Sequence, residues 1–234
     1  MTRRKQMANQ LKIMAISAHP ADFCSRSGGT LIKHVQAGAK VKIVWLTHGE
    51  TDESGLLYQQ RPDISVDEVR RIREEEAFAC AEVIGAEGKM FGFGDNPLRM
   101  TPERMEMLSQ EIKDFRPNII LTHWQAELTY PTHWVASESA VRAAQMARAS
   151  WDIRFFEPNI GTAVRVGFVP DHYVDISDVF DQKIEALTKL AAQPHLVSLY
   201  KTCNRWRGIE SRCEYAEAFV RFAPEVPLLH LLTG

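Results

Sequence analysis

Residues 11–17 (LKIMAIS) form a short apolar run that stops at a polar cluster, the pattern of a buried strand. Residues 28–38 open on Gly28-Gly29, carry apolar residues at helical spacing and close on Gly38, and Ser27-Gly28-Gly29 reads as a tight turn into that helix. Residues 40–47 (KVKIVWLT) are rich in strand formers. Residues 66–85 predict a long amphipathic helix, with Val69, Ile72, Cys80 and Ile84 on one face, charge on the other, and Glu76 interrupting the apolar stripe. A short strand over 89–93, a helix over 102–115 ending near Pro117, a strand over 118–122 and a helix from 132 to 149 follow. This alternation predicts an α/β fold, a doubly wound, mostly parallel, Rossmann-like sheet with helices on both faces. The last third is less regular: 164–169 and 172–176 read as strands, and 177–192 and 211–222 as helices. No repeat, low-complexity tract or Pro/Gly linker divides the chain, so 11–234 reads as one domain behind a disordered tail, 1–10.

Composition narrows the function classes more than it names one. A formal net charge of -2 over 234 residues offers no electrostatic case for nucleic acid or an anionic membrane as partner. No apolar run approaches the roughly 18 residues of a transmembrane helix, and the basic start MTRRKQMANQ lacks the apolar segment of a signal peptide. Cys24, Cys80, Cys203 and Cys213 are scattered without a C-x-x-C pair, which points to a reducing compartment and a cytoplasmic location.

The chemistry-bearing residues cluster at the ends of predicted strands. The first strand runs into His19-Pro20-Ala21-Asp22, the second into His48-Gly49-Glu50, the third into Asp95-Asn96-Pro97 and the fourth into His123-Trp124. In open α/β sheets, ligands bind outside the carboxyl ends of the strands, so these exits converge on one crevice. His19 and Asp22 can reach one ion from a single tight turn, and an imidazole with a carboxylate suits zinc (Zn2+). A third ligand must come from elsewhere, and His123 and His133 are the candidates. His34 and His195 read as structural or solvated, His172 is ambiguous and His230 lies too near the terminus to matter. There is no G-x-S-x-G elbow, H-E-x-x-H or P-loop.

At these residues the chain resembles the PIG-L/LmbE-like superfamily of zinc enzymes, best known as N-deacetylases of amino sugars. The superfamily's A-H-P-D-D-E motif stands here as Ala18-His19-Pro20-Ala21-Asp22-Phe23, followed by Gly28-Gly29-Thr30-Leu31, and its H-P-D-H motif as Tyr130-Pro131-Thr132-His133. Thr47-His48-Gly49-Glu50, Arg73-Glu74-Glu75-Glu76-Ala77 with Gly85, and Tyr215-Ala216-Glu217-Ala218-Phe219 extend the similarity. The resemblance implies an LmbE-like fold and one divalent ion, zinc, on His19, Asp22 and His133. It also exposes departures: Ala21 replaces an Asp general base, Tyr130 a catalytic His and Thr132 an Asp. A lost general base typically costs about 10²–10⁴ in rate.

One branch does carry alanine there. Ser17-Ala18-His19-Pro20-Ala21-Asp22-Phe23, Arg26-Ser27-Gly28-Gly29, Gly49-Glu50-Thr51-Asp52-Glu53-Ser54 and Gly94-Asp95-Asn96-Pro97-Leu98-Arg99 resemble, in order, the 4-oxalomesaconate hydratase branch. That likeness implies a metal-dependent hydro-lyase acting on an unsaturated keto polycarboxylate from aromatic-compound breakdown. Under it, Glu50 is the expected base, and His48, His123 and Tyr130 are proton donors. Arg26, Arg73, Arg99 and Asp95 would contact a small-molecule carboxylate substrate, since arginine binds carboxylates bidentately. Arg205, Arg207 and Arg212 would reach in from the C-terminal part or from a neighbour in a homo-oligomer. The alternatives are an N-deacetylase that recruits Glu50 as base, and a catalytically silent metal- or ligand-binding homologue.

Overall fold

A computed structural model of the protein describes residues 10–127, 130–149, 152–159 and 161–222. Of the tail expected over 1–10, all but Gln10 lies outside the described residues. Strand β1 (Lys12–Ser17) leads into helix α1 (Asp22–Gln36), and β2 (Lys40–Trp45) into the short α2 (Gly55–Gln60) and the long α3 (Val66–Ile84). Next come β3 (Glu87–Met90), α4 (Pro102–Phe115), β4 (Ile119–His123) and α5 (Pro131–Ala147). The chain continues through β5 (Ile153–Phe156), β6 (His172–Asp175), α6 (Phe180–Thr188), α7 (His195–Ser211) and β7 (Ala216–Arg221).

The strands form one seven-stranded sheet in the order β3-β2-β1-β4-β5-β7-β6. All pairings from β3 to β5 are parallel, whereas β7 runs antiparallel to both β5 and β6. In β1 both faces are buried: Ile13 and Ala15 join the apolar cluster that holds α1 residues Phe23 and Leu31, while Met14 and Ile16 join the one that holds α4 and α5 residues Leu108, Ile112, Ala136 and Ala140. This is why the strand reads as a continuous apolar run rather than an alternating one.

Local signals explain the helix ends. The Ser65 hydroxyl accepts the Glu68 N–H at the start of α3, and Gly85 ends it at φ 82°. Thr101 caps α4 with Pro102 at its start. Glu76 breaks the stripe of α3 because its carboxylate is used inside, accepting from Arg73 Nη1 at 2.7 Å and from the Ala192 N–H at 2.7 Å.

Several expectations need correction. Helix α1 begins at Asp22, so Gly28 and Gly29 are not a turn but sit in its middle. A Cβ at Gly29 would lie 2.8 Å from Ile176, so glycine there serves close approach rather than chain reversal. Residues 164–167 form turns and 168–169 are irregular, so the strand expected over 164–169 is absent. The helix expected over 211–222 is strand β7, and the helix in this part of the chain is the unanticipated α7. Its buried face mixes Leu196, Tyr200 and Cys203 with Asn204 and Arg207, while Trp206 and Ile209 are exposed, which blurs the pattern that marks an amphipathic helix. Strand β5 was also unanticipated.

Candidate functional site

The exit of β1 builds the first half of the site. The chain leaves the sheet at Ser17, and His19 donates its N–H to Asp22 Oδ2 at 2.8 Å, so the carboxylate that opens α1 also fixes the turn before it. Pro131 starts α5, and its first turn delivers His133. The loop after β2 delivers Glu53. His19 Nδ1 lies 3.2 Å from His133 Nε2, 3.5 Å from Asp22 Oδ2 and 3.4 Å from Glu53 Oε1, and His133 Nε2 lies 3.3 Å from Asp22 Oδ1. One donor atom from each of these four residues falls within 4.8 Å of every other. Two imidazoles and two carboxylates, converging and buried, are a donor set that fits zinc. Among the described residues His19 Nε2 and His133 Nδ1 have no hydrogen-bond partner, although both residues are fully buried.

The three ligands expected from sequence are thus brought together, and Glu53 joins them. Of the two histidines left open by the sequence, His133 belongs to the converging donor set, whereas His123 Nε2 accepts the Ala18 N–H at 2.9 Å, lies 3.3 Å from Asp22 Oδ2, and its ring stacks on His133 with centroids 4.2 Å apart. His123 therefore braces His133. Electrostatics follow from burial and mutual contact. Burial opposes the charged form of Asp22, but His133 and His123 outweigh it and hold the carboxyl well below its usual range. Burial pushes His133 well down and His123 down, against the pull of Asp22 on both rings. Burial also works against the charged form of His19, yet Glu53 and Asp22 prevail and raise it to about 10. A proton on His19 thus balances the two carboxylates where a cation would otherwise do so.

Beside the cluster lies a cavity of about 210 Å³, lined by Ala21, Asp22, Arg26, Glu53, Tyr130 and His195 among others. Arg26 is buried, with Nη1 on the Glu157 carbonyl at 2.9 Å, Nη2 on Asn159 Oδ1 at 2.5 Å and Nη2 3.3 Å from Asp22 Oδ1. Its Nε has no partner among the described residues. The Tyr130 ring lies 5.0 Å from that of His133 and 6.3 Å from that of His19. Burial, then the charges of Glu53 and Asp52, raise its phenol, which keeps it an O–H donor at neutral pH. His195, read from sequence as structural or solvated, is exposed and also lines the cavity.

Other expected site residues fall outside the cavity lining. Glu50 Oε1 accepts from Arg70 Nε at 3.0 Å and Nη2 at 2.8 Å, so its place in the cluster is taken by Glu53, three residues on. His48 pairs with Glu74 at 3.2 Å and packs on Gly92, where a Cβ would lie 2.6 Å from the ring. Arg73 is fully buried and donates to Glu76, to Gln193 at 2.6 Å and to Glu53 Oε2 at 3.4 Å, so it holds a cluster carboxylate rather than substrate. Asp95 accepts the Thr51 and Asp52 N–H groups at 2.7 and 2.8 Å and fixes the loop that presents Glu53. Arg99 is exposed. The three C-terminal arginines do not converge: Arg207 pairs with Glu157 and Glu210, Arg205 donates to the Glu214 carbonyl, and Arg212 ends α7 at φ 65°. A second grouping of His19, Asp52 and Asp95 adjoins the first.

Residues 14–145 match the family described as PIG-L, GlcNAc-PI de-N-acetylase. The chain belongs to the PIG-L family. Among its PIG-L relatives is a 4-oxalmesaconate hydratase of Pseudomonas putida, 28% identical over 222 residues that span 90% of this chain and 85% of the relative. A diacetylchitobiose deacetylase of Thermococcus kodakarensis is 28% identical over 240 residues, 94% of this chain and 85% of that one. The crystal structure of GalB, the 4-carboxy-2-hydroxymuconate hydratase of Pseudomonas putida, superposes with a TM-score of 0.87 at 27% identity, covering 95% of this chain and all 100% of that one. This PIG-L chain therefore has both hydratases and deacetylases among its relatives. Among the described residues no helix is long and apolar enough to cross a membrane.

Proposed function

We propose that this chain is a zinc-dependent hydro-lyase that adds water across the double bond of an unsaturated keto polycarboxylate such as 4-oxalomesaconate. The observation that carries the reading is the cavity wall itself. Ala21 presents a methyl group where deacetylases of the superfamily carry their Asp base, while a buried arginine, Arg26, opens on the same space. An amide hydrolase has little use for a buried guanidinium beside the ion and needs a base at position 21, whereas a polycarboxylate needs the reverse. The similarity to Pseudomonas putida hydratase, in sequence and in structure, supports the same side.

His19, Asp22 and His133 would hold the ion, with Glu53 beside them. When bound, zinc supplies a Lewis acid for a keto-acid oxygen and lowers the pKa of water. The chain's own groups then divide the work. Arg26 binds a substrate carboxylate through charge-assisted hydrogen bonds. Glu53, held by Arg73 at its other oxygen, takes up the proton of the attacking water as the oxygen joins one alkene carbon. The neighbouring carbon receives a proton, for which the Tyr130 phenol on the cavity wall is the donor. Glu53 here takes the role that the sequence reading gave to Glu50.

The test is direct. The zinc-loaded protein is given an unsaturated keto tricarboxylate, with loss of the conjugated absorbance followed, and separately an N-acetyl amino sugar, with acetate release followed. Hydration without acetate release is expected. Acetate release without hydration would reverse the assignment toward the deacetylases.

A further inference from the structure

Helix α1 carries Asp22, Ser25 and Arg26 to the cavity, and its next turn is gripped from behind by side chains that no step above uses. Glu217 on β7 accepts the Gly29 N–H on Oε1 at 2.9 Å and the Thr30 N–H on Oε2 at 2.7 Å. Lys183 on α6 donates to the Ser25 carbonyl at 2.8 Å, to Glu217 Oε1 at 2.7 Å and to Asn204 Oδ1 at 2.7 Å. In a regular helix the Ser25 carbonyl is the acceptor for the Gly29 N–H. The ion pair thus straddles one rung of the ladder, ammonium on its acceptor and carboxylate on its donor. Side chains inserted at a rung set the local course of a helix.

The surroundings are shaped for this grip. Both charged side chains are completely buried. Gly29 lets Ile176 press against the helix, since a Cβ there would lie 2.8 Å from Ile176, while Lys183 Cγ packs in ordinary contact beside Gly28. Helix α7 braces the pair: Asn204 also donates to the Ala216 carbonyl at 2.9 Å, and the ring of Tyr200, a cavity-lining residue, lies 5.4 Å from Lys183 Nζ. The same few side chains therefore touch α1 at the turn beside Arg26 and α7 at the turn that faces it.

We propose that Lys183 and Glu217 are positioning residues that set the gap between α1 and α7, and with it the placement of Asp22 for the metal and of Arg26 for a substrate carboxylate. The substrate half of this statement rests on the hydratase reading, and the metal half needs no substrate to be tested.

Two variants of the full chain test it. Glu217→Asp keeps the charge pair but withdraws the carboxylate from the α1 backbone by one methylene. Lys183→Met combined with Glu217→Gln removes both charges together, which avoids stranding a buried ion. Zinc is titrated against a chromophoric chelator well below each melting temperature, and KM and kcat are measured on the tricarboxylate. Both variants should bind zinc about tenfold more weakly or worse, the scale of losses when a group that orients a metal ligand is removed. KM should rise by a similar factor, with kcat moving less. Zinc affinity equal to the parent's in either folded variant would overturn the proposal, however early that variant melts. Failure of both to fold even with zinc present would assign the pair to stability alone and overturn it equally. Because the zinc titration uses no substrate, a parent protein that fails to hydrate the tricarboxylate leaves this result standing.

Discussion

Two buried polar clusters bear on α1, and they treat their atoms differently. In the one around Lys183 and Glu217, the ammonium makes three hydrogen bonds and each carboxylate oxygen has a partner. In the one around His19, the atoms His19 Nε2, His133 Nδ1, His123 Nδ1 and Arg26 Nε lack partners among the described residues. A buried polar atom left unpaired costs about 1–3 kcal/mol. The Lys183–Glu217 pair is fully satisfied, whereas four such atoms gather around one converging donor set, as expected where a ligand binds. The first cluster reads as scaffold and the second as a ligand site, and the boundary between them falls within a single helix.

The largest effect that separates them is expected at Glu53. Glu53→Gln should lower kcat by about 10²–10⁴ while the melting temperature holds, because a base is lost from a site that keeps three other ligands. Glu50→Gln is the control. It removes the charge of a buried carboxylate whose partner is the half-exposed Arg70, and turnover should stay near the parent's. A collapse of turnover in Glu50→Gln, with Glu53→Gln active, would return the base to the residue first expected from sequence.

Arg26 comes next. Arg26→Lys keeps the charge and loses the fork, so KM for the polycarboxylate should rise by about tenfold to a hundredfold, the range of one charge-assisted hydrogen bond of about 1.5–3 kcal/mol. An unchanged KM would remove Arg26 from substrate binding.

A pH effect on the metal-free protein is smaller. The His19 pKa in the fold, about 10, lies above its unfolded value of 6.5. The stability it contributes is therefore fully present below pH 6.5 and is lost as pH rises through the folded pKa. Zinc replaces that proton, so the loaded protein should escape the loss. The gap in melting temperature between the two forms should widen from pH 6.5 toward 10, and a constant gap would contradict a charged His19.

Ala21→Asp should disturb least. The side chain faces the cavity, so the variant should melt close to the parent and gain slow acetate release from an N-acetyl sugar. A large fall in melting temperature would make Ala21 a packing residue instead.

What could be read from the chain beforehand follows the same division. Helices α3 and α4 were legible to within a residue or two because Ser65, Gly85, Thr101 and Pro102 are local signals that act on the backbone beside them. His19 and Asp22 were legible because a single turn brings both to one ion. His133 became a ligand through resemblance, since only the packing of α5 on the sheet carries it to the β1 exit. Glu53 was missed because Glu50, Asp52 and Glu53 share one loop, and the choice among them depends on Asp95 and Arg73 fixing that loop from a distance. Strand β7 was misread because Tyr215-Ala216-Glu217-Ala218-Phe219 is rich in helix formers, and its pairing with β5 and β6 overrides that preference. The glycines of α1 were read as a turn because the close approach that Gly29 permits comes from Ile176, more than a hundred residues away in the chain.

The central claim is that one divalent ion sits between the exits of β1 and the start of α5. Anomalous diffraction at the zinc edge on crystals of the loaded protein tests it most directly, paired with metal analysis of His133→Ala. The account predicts a single peak at ligand distance, about 2.0–2.2 Å, from His19, Asp22 and His133, and loss of the metal from the variant. A peak ligated by His123 in place of His133, or a variant that keeps its full metal content, would contradict it.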